Sequence, residues 1–312
     1  MLHTHKPRRG NRGVVVGADG SAASVNALRY ARAEAARHGE GVDVIHVVPD
    51  YSPIAGMYPV PPDELTAAGR AALRATVDQV DADPSGAAVR THLRRGAVVT
   101  TLADAGHGAR SIVVGSDRRP PAMRLLTGNV STGVAARATV PVVSVPDTWR
   151  ADESTGVVLV GVKRTDKAVP LLAEAFTLAQ ERGCRLRVLH AWRLPSGYDD
   201  IIADRTAFDD WEQRAHRELA RLVAPWRDRH PEVEVEFRIV HDQAAHALVE
   251  ASAEADELVI VRRAHGFPAA AHLGSTARTV LLYAHCPVRV IPAVDAPLLP
   301  DLALEEAGAP LT

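Results

Sequence analysis

This chain carries one series of features twice. Val14, Val15, Val16 and Gly17 run into Ala18, Asp19, Gly20 and Ser21: an apolar strand, a turn and a helix cap. Val157, Val158, Leu159, Val160 and Gly161 run in the same way into Val162, Lys163, Arg164 and Thr165. With Gly17 laid on Gly161, Gly39 falls on Gly183 and His46 on His190. Farther along, the run from Ser111 to Gly115 matches the run from Leu258 to Arg262. Gly128 matches Gly274, and Pro141-Val142-Val143 matches Pro287-Val288-Arg289. A repeat this long is a duplicated domain and not a solenoid unit, since each copy can bury a core of its own. The copies differ where chemistry would sit, with Asp19 set against Lys163.

A length of 312 residues suits two such domains. Hydrophobic residues make up 46% and charged residues 24%, which are ordinary globular values. A net charge of -2 gives the chain no general attraction for nucleic acid or an anionic membrane, and neither is an expected partner. Cys184 and Cys286 lie outside any Cys-x-x-Cys, each beside an expected strand, and read as buried free thiols of a reducing compartment. No apolar run reaches the roughly 20 residues of a membrane span. The first 12 residues are basic and lack the apolar segment of a signal peptide, so a cytoplasmic address is expected. Those residues read as a disordered arm, and residues 294–312 as a flexible tail.

Each half alternates strands and helices. In residues 13–147, strands are expected at 14–16, 42–48, 87–93, 111–115 and 140–145. Helices are expected at 21–37, 63–80, 98–105 and 130–138, with Ser21 as the cap of the first and Gly39 as its stop. In residues 155–293, strands fall at 157–161, 185–191, 233–239, 258–261 and 288–291. Helices there fall at 167–182, 205–229, 244–254 and 275–284. Phe208, Trp211, Leu219, Leu222 and Trp226 recur at helical spacing and read as core, and His46 and His190 as packed side chains. Residues 147–155 form a polar link that few contacts should cross. Short apolar strands alternating with helices give an α/β class: two tandem, doubly wound, five-stranded parallel sheets. Ligands of such sheets bind beyond the carboxyl ends of the strands.

Three loops of the first half lie at that end. Gly17 lets a ligand approach the backbone, and the Asp19 carboxylate can accept hydrogen bonds from an amino group or from hydroxyls. Val47 can offer backbone groups to a base edge. Val114 and Gly115 open a loop that closes at Gly128, Asn129, Val130 and Ser131, the start of a helix whose free amides favour an anion.

These residues resemble the universal stress protein family, whose ATP-binding members carry G-x2-G-x9-G-[S/T] in this loop. The likeness extends over nearly the whole chain, as two tandem domains. It implies an adenine-nucleotide alpha-hydrolase-like fold and ATP, with or without Mg²⁺, in the first domain. By that resemblance Asp19 takes base and ribose, Val47 the adenine, and Val114, Gly115 and Gly128 to Ser131 the phosphates. Arg118 replaces the second Gly of the pattern, where it either restricts the turn or supplies charge, and Asn129 replaces the Ser or Thr. The family also implies pairing of the two domains through their fifth strands, residues 140–145 antiparallel to residues 288–291, as an intramolecular pseudo-dimer. A second copy of the chain and a protein partner not named by the sequence remain as further partners.

The second half departs more. In the sequence alignment Gly115 becomes Arg262, His265 stands where the second Gly would be, and the loop is one residue shorter. Lys163, Arg262 and Arg263 are then expected around one pocket mouth of a supporting domain. No P-loop, no Gly-x-Ser-x-Gly and no zinc spacing among the 14 histidines appears, so no enzyme is indicated and no residue is picked out for ATP hydrolysis. Three readings follow: a stress-response module that binds ATP in its first domain, a nucleotide-independent interaction module with degenerate loops in both, and an ATP-consuming enzyme, which would need turnover that a pocket substitution abolishes.

Overall fold

A computed structural model describes residues 13–50, 61–80, 86–116, 130–163, 168–193, 208–262 and 273–292. In domain 1, β1 (Val14–Gly17), α1 (Ala22–Arg37), β2 (Val42–Val48), α2 (Pro62–Asp78) and β3 (Val89–Arg95) are followed by α3 (Val98–Ala105), β4 (Ser111–Ser116), α4 (Val130–Arg137) and β5 (Val142–Pro146). Domain 2 runs β6 (Val157–Gly161), α5 (Val169–Arg182), β7 (Arg185–Trp192), α6 (Phe208–Arg229), β8 (Val235–His241), α7 (Ala244–Ala251), β9 (Glu257–Val261), α8 (Ser275–Tyr283) and β10 (Val288–Ile291). Ser21 caps α1 by accepting from the Ser24 amide at 3.2 Å, and Gly39 leaves the helix at φ +63°. No helix among the described residues is long and apolar enough to cross a membrane.

All ten strands form one sheet in the order β3-β2-β1-β4-β5-β10-β9-β6-β7-β8. The strands of each domain are parallel, and β5 meets β10 antiparallel with Val143 opposite Arg289. The pairing expected for the fifth strands is therefore present. It covers what would otherwise be two open sheet edges.

Alternating side chains build different cores on the two faces. On one face Ile112, Val114, Val134 and Val142 join Leu258, Ile260, Val280 and Val288 in a single core that crosses the domain boundary. On the other face α1 and α2 cover one core (Leu28, Val44, Val113), and α5 and α6 cover another (Phe176, Val188, Val259).

Between those two cores lies a buried polar cluster that the sequence reading missed. Arg289 of β10 reaches Glu34 of α1 at 2.6 Å, Glu257 of β9 at 2.6 Å and Glu174 of α5 at 3.1 Å. Arg182 of α5 lies 2.5 Å from Glu257, and the Tyr30 hydroxyl of α1 donates to the same carboxylate. Burial alone would raise the Glu34 pKa, but the Arg289 guanidinium prevails and holds it at about 2. Burial also lifts the Tyr30 hydroxyl well above its ordinary value, so it stays a donor. The available signal was Arg289 itself, a cation inside an apolar strand.

The structure corrects four expectations. The repeat is misaligned by one residue at the fourth strand. Val14 pairs with Ser111, and its repeat Val158 pairs with Glu257. Ser111 therefore corresponds to Glu257, Gly115 to Val261 and Ser116 to Arg262, so the two loops are of equal length. The 147–155 link is tied down: Asn26 Nδ2 donates to the carbonyls of Asp147 at 2.9 Å and Trp149 at 3.0 Å, and the Thr155 amide donates to Asp256 at 2.5 Å. Trp211 is 37% exposed and stacks on Trp192 instead of entering the core. Both thiols are free, but only Cys286 is buried, Cys184 being half-buried.

Candidate functional site

Strand order within domain 1 reverses between β1 and β4, which opens a crevice at their carboxyl ends. The chain leaves β1 tightly held. The Ala18 amide donates to the Ile45 carbonyl at 2.9 Å, and His46 Nδ1 lies 2.8 Å from the Ala18 carbonyl. Asp19 follows, exposed, with its Oδ1 accepting from the Ser21 amide at 3.0 Å. That contact is an Asx-type turn, which holds the carboxylate at the mouth of the crevice. Gly20 takes φ +84°, a conformation that favours glycine.

The walls are built from the neighbouring strands. Val47 is buried near the end of β2 and Val114 near the end of β4. A β carbon on Gly17 would come within 3.0 Å of Leu102 and 3.2 Å of Val114. One on Gly115 would lie 2.6 Å from the Ala23 carbonyl carbon, because the first turn of α1 presses on β4 there. Val130 and the buried Ser131 open α4, which departs from the same end of the sheet. Gly17, Asp19, Val47, Val114, Gly115, Val130 and Ser131 thus gather around the carboxyl ends of β1, β2 and β4. Arg118, Gly128 and Asn129 lie outside the described residues.

Domain 2 keeps the frame but carries different residues at the same strand ends. His190 Nδ1 lies 2.9 Å from the Val162 carbonyl, repeating the His46 contact, and Lys163 is exposed like Asp19. Val261 stands where domain 1 has Gly115, and α5 opens at Val169, beyond Asp166, the residue that repeats Ala22. At the ends of β7 and β8, Trp192 packs on Trp211 at 5.5 Å and on His241 at 4.3 Å. The matching places in domain 1 hold Val48 and Arg95. The expected basic mouth of Lys163, Arg262 and Arg263 is not assembled as such. Arg262 turns away and donates to the carbonyls of Ala135, Ala136 and Ala138 in domain 1, and Arg263 lies outside the described residues.

A cavity of about 380 Å³ lies elsewhere, between α1 and α5, lined among others by Glu34, Arg37, Arg110, Glu174, Glu181 and Arg289. It touches none of the candidate nucleotide-site residues. Its domain 1 wall includes Arg110 and Pro141, which precede β4 and β5, so it faces the amino ends of those strands.

Two parallel five-stranded α/β units, edge-paired and with different residues at their equivalent strand ends, define a tandem α/β protein with unlike halves. The model of the Universal stress protein family matches residues 10–146 and again residues 155–292, and the chain belongs to that family. It is 32% identical over 296 residues to a universal stress protein of Mycobacterium tuberculosis, covering 91% of this chain and 98% of the relative. In fold it is similar to a universal stress protein from Archaeoglobus fulgidus, at a TM-score of 0.67 and 19% identity, covering 91% of this chain and 98% of the other. A universal stress protein crystallised in complex with cAMP is 30% identical over 43% of this chain and 96% of its own, at a TM-score of 0.35.

Proposed function

We propose that domain 1 binds an adenine nucleotide, ATP first of all, and that the chain acts in stress response as a binding module and not as an enzyme. The observation that carries this is the crevice between β1 and β4. Asp19 is held exposed at its mouth, and Gly17 and Gly115 let Leu102 and the first turn of α1 pack close against the ends of β1 and β4 that frame it. An exposed carboxylate suits ribose hydroxyls or an adenine amino group, since both donate hydrogen bonds. The amides of the first turn of α4, with the Ser131 hydroxyl, suit phosphate oxygens. Among the described residues no three metal-ligating side chains cluster. Any Mg²⁺ would therefore be held mainly by phosphate oxygens and water, as that ion prefers. Domain 2 serves as the supporting half, with Val261 in the place of Gly115.

Titration calorimetry of the full chain with ATP tests the reading. Wild type is expected to bind. Asp19→Ala is expected to bind about tenfold more weakly, since a charge-assisted hydrogen bond contributes about 1.5 kcal/mol or more. No heat at millimolar ATP, or equal affinity for the variant, would sink the proposal.

A further inference from the structure

We infer that Arg262 of domain 2 is a positioning residue for the nucleotide site of domain 1, an inference that rests on the function proposed above. Its Nη1 donates to Ala135 O at 3.1 Å, Ala136 O at 2.7 Å and Ala138 O at 3.0 Å. Ala135 and Ala136 lie in the last turn of α4, and Ala138 follows it. The carbonyls of a last helical turn have no partner within the helix, and a cation there meets the negative end of the helix dipole. The helix held in this way has eight residues. Over so short a rod, fixing the carboxyl end also fixes where the amino end stands. That end carries Val130 and Ser131, the groups assigned to phosphate.

The contact belongs to the pseudo-twofold arrangement. Ser116 of domain 1 donates to Leu281 O in α8 of domain 2 at 3.1 Å. In the corrected register Ser116 repeats Arg262 and Leu281 repeats Ala135. Each domain therefore holds the last helix of the other from the end of its fourth strand. Only one of the two contacts is charged and threefold, and it acts on the helix of the domain to which the nucleotide is assigned. Burial makes Arg262 easier to deprotonate, and no carboxylate among the described residues offsets this. The helix carbonyls are what hold the guanidinium. The position where the sequence showed only a lost glycine motif thus carries a role directed at the other domain.

The test is ATP affinity of the full chain, by calorimetry, for wild type, Arg262→Met, Arg262→Lys and Tyr30→Phe. Arg262→Met keeps an apolar stem and removes the donor. It is expected to bind ATP about fivefold more weakly or worse, the lower end of ordinary coupling between sites. Arg262→Lys places three ammonium protons near the three carbonyls and is expected to stay within about twofold of wild type. Tyr30→Phe loosens the interface at the buried cluster, away from α4, and is expected to leave affinity unchanged. Wild-type affinity in Arg262→Met overturns the inference, and so does an equal loss in Tyr30→Phe, which would mark a general loosening of the interface. If Arg262→Met does not fold, Arg262→Lys decides: binding as weak as that of Asp19→Ala overturns the inference. A wild type that takes up no adenine nucleotide removes the proposed function and this inference together, whereas loss of only the Arg262 effect leaves the function standing.

Discussion

Gly115 and Val261 occupy the same place in the two copies, and what separates them is room for a side chain. In domain 1 the backbone of Ala23 stands 2.6 Å from where a β carbon would be, so only glycine lets α1 begin there. Gly17, Asp19 and Ser131 stood out as candidates because each is a local signal: a glycine at a strand end, a carboxylate in a turn, a polar residue opening a helix. The partners of Glu34 were not legible, because its cation comes from 255 residues away. That cluster has a consequence at the same scale. The Glu34 pKa is held near 2 in the folded chain, against 4.5 for the free group. The stabilisation is complete above the free value and is lost as pH falls toward 2. Its full size is about 3 kcal/mol, since each unit of pKa is worth about 1.4 kcal/mol. Acid unfolding followed by circular dichroism should be steeper for wild type than for Glu34→Gln between pH 5 and 2. Parallel curves would show that Glu34 is not held by Arg289 in solution.

At the scale of elements, type and order were readable from apolar runs and caps, and the ends of the elements shifted by a few residues. Register was harder. The fourth strands read Ser-Ile-Val-Val-Gly and Glu-Leu-Val-Ile-Val, and matching apolar letters slid one against the other by one place. Both faces of such a strand are buried, so its own pattern hardly distinguishes one face from the other, yet a slip of one residue exchanges them. The neighbouring strands decide: β1 fixes β4, and β6 fixes β9. The antiparallel seam of β5 and β10 is fully buried, whereas β3 and β8 at the outer edges are partly exposed along their lengths. Hydrogen exchange read by NMR or mass spectrometry should therefore find β5 and β10 amides among the slowest, and β3 and β8 amides at least about tenfold faster. Exchange of β5 and β10 at the edge-strand rate would mean that the domains open apart before they unfold.

At the scale of the whole molecule, one core runs beneath both domains, and a buried ionic cluster joins them on the opposite face. Residues 13–147 expressed alone would expose the β5 edge and half of that shared core. Such a fragment should pair with itself through β5, and sedimentation should find a dimer at micromolar concentration. A stable, dispersed monomer would show that the seam is not needed to cover the edge. The sequence by itself determined the duplication and the α/β class, which follow from short-range patterns of apolar, glycine and capping residues. The fifth-strand pairing was implied by the family resemblance and is present in the structure. Only the tertiary structure decided that Arg289 is neutralised by carboxylates from both halves, and that Arg262 leaves its own domain to hold α4. Long cationic side chains reach several ångströms from their backbone, and what they meet depends on which elements packing brings alongside. The contrast of Asp19 with Lys163 marked the halves as unlike, and the fold adds a contact from the second half to the last helix of the first, made by Arg262.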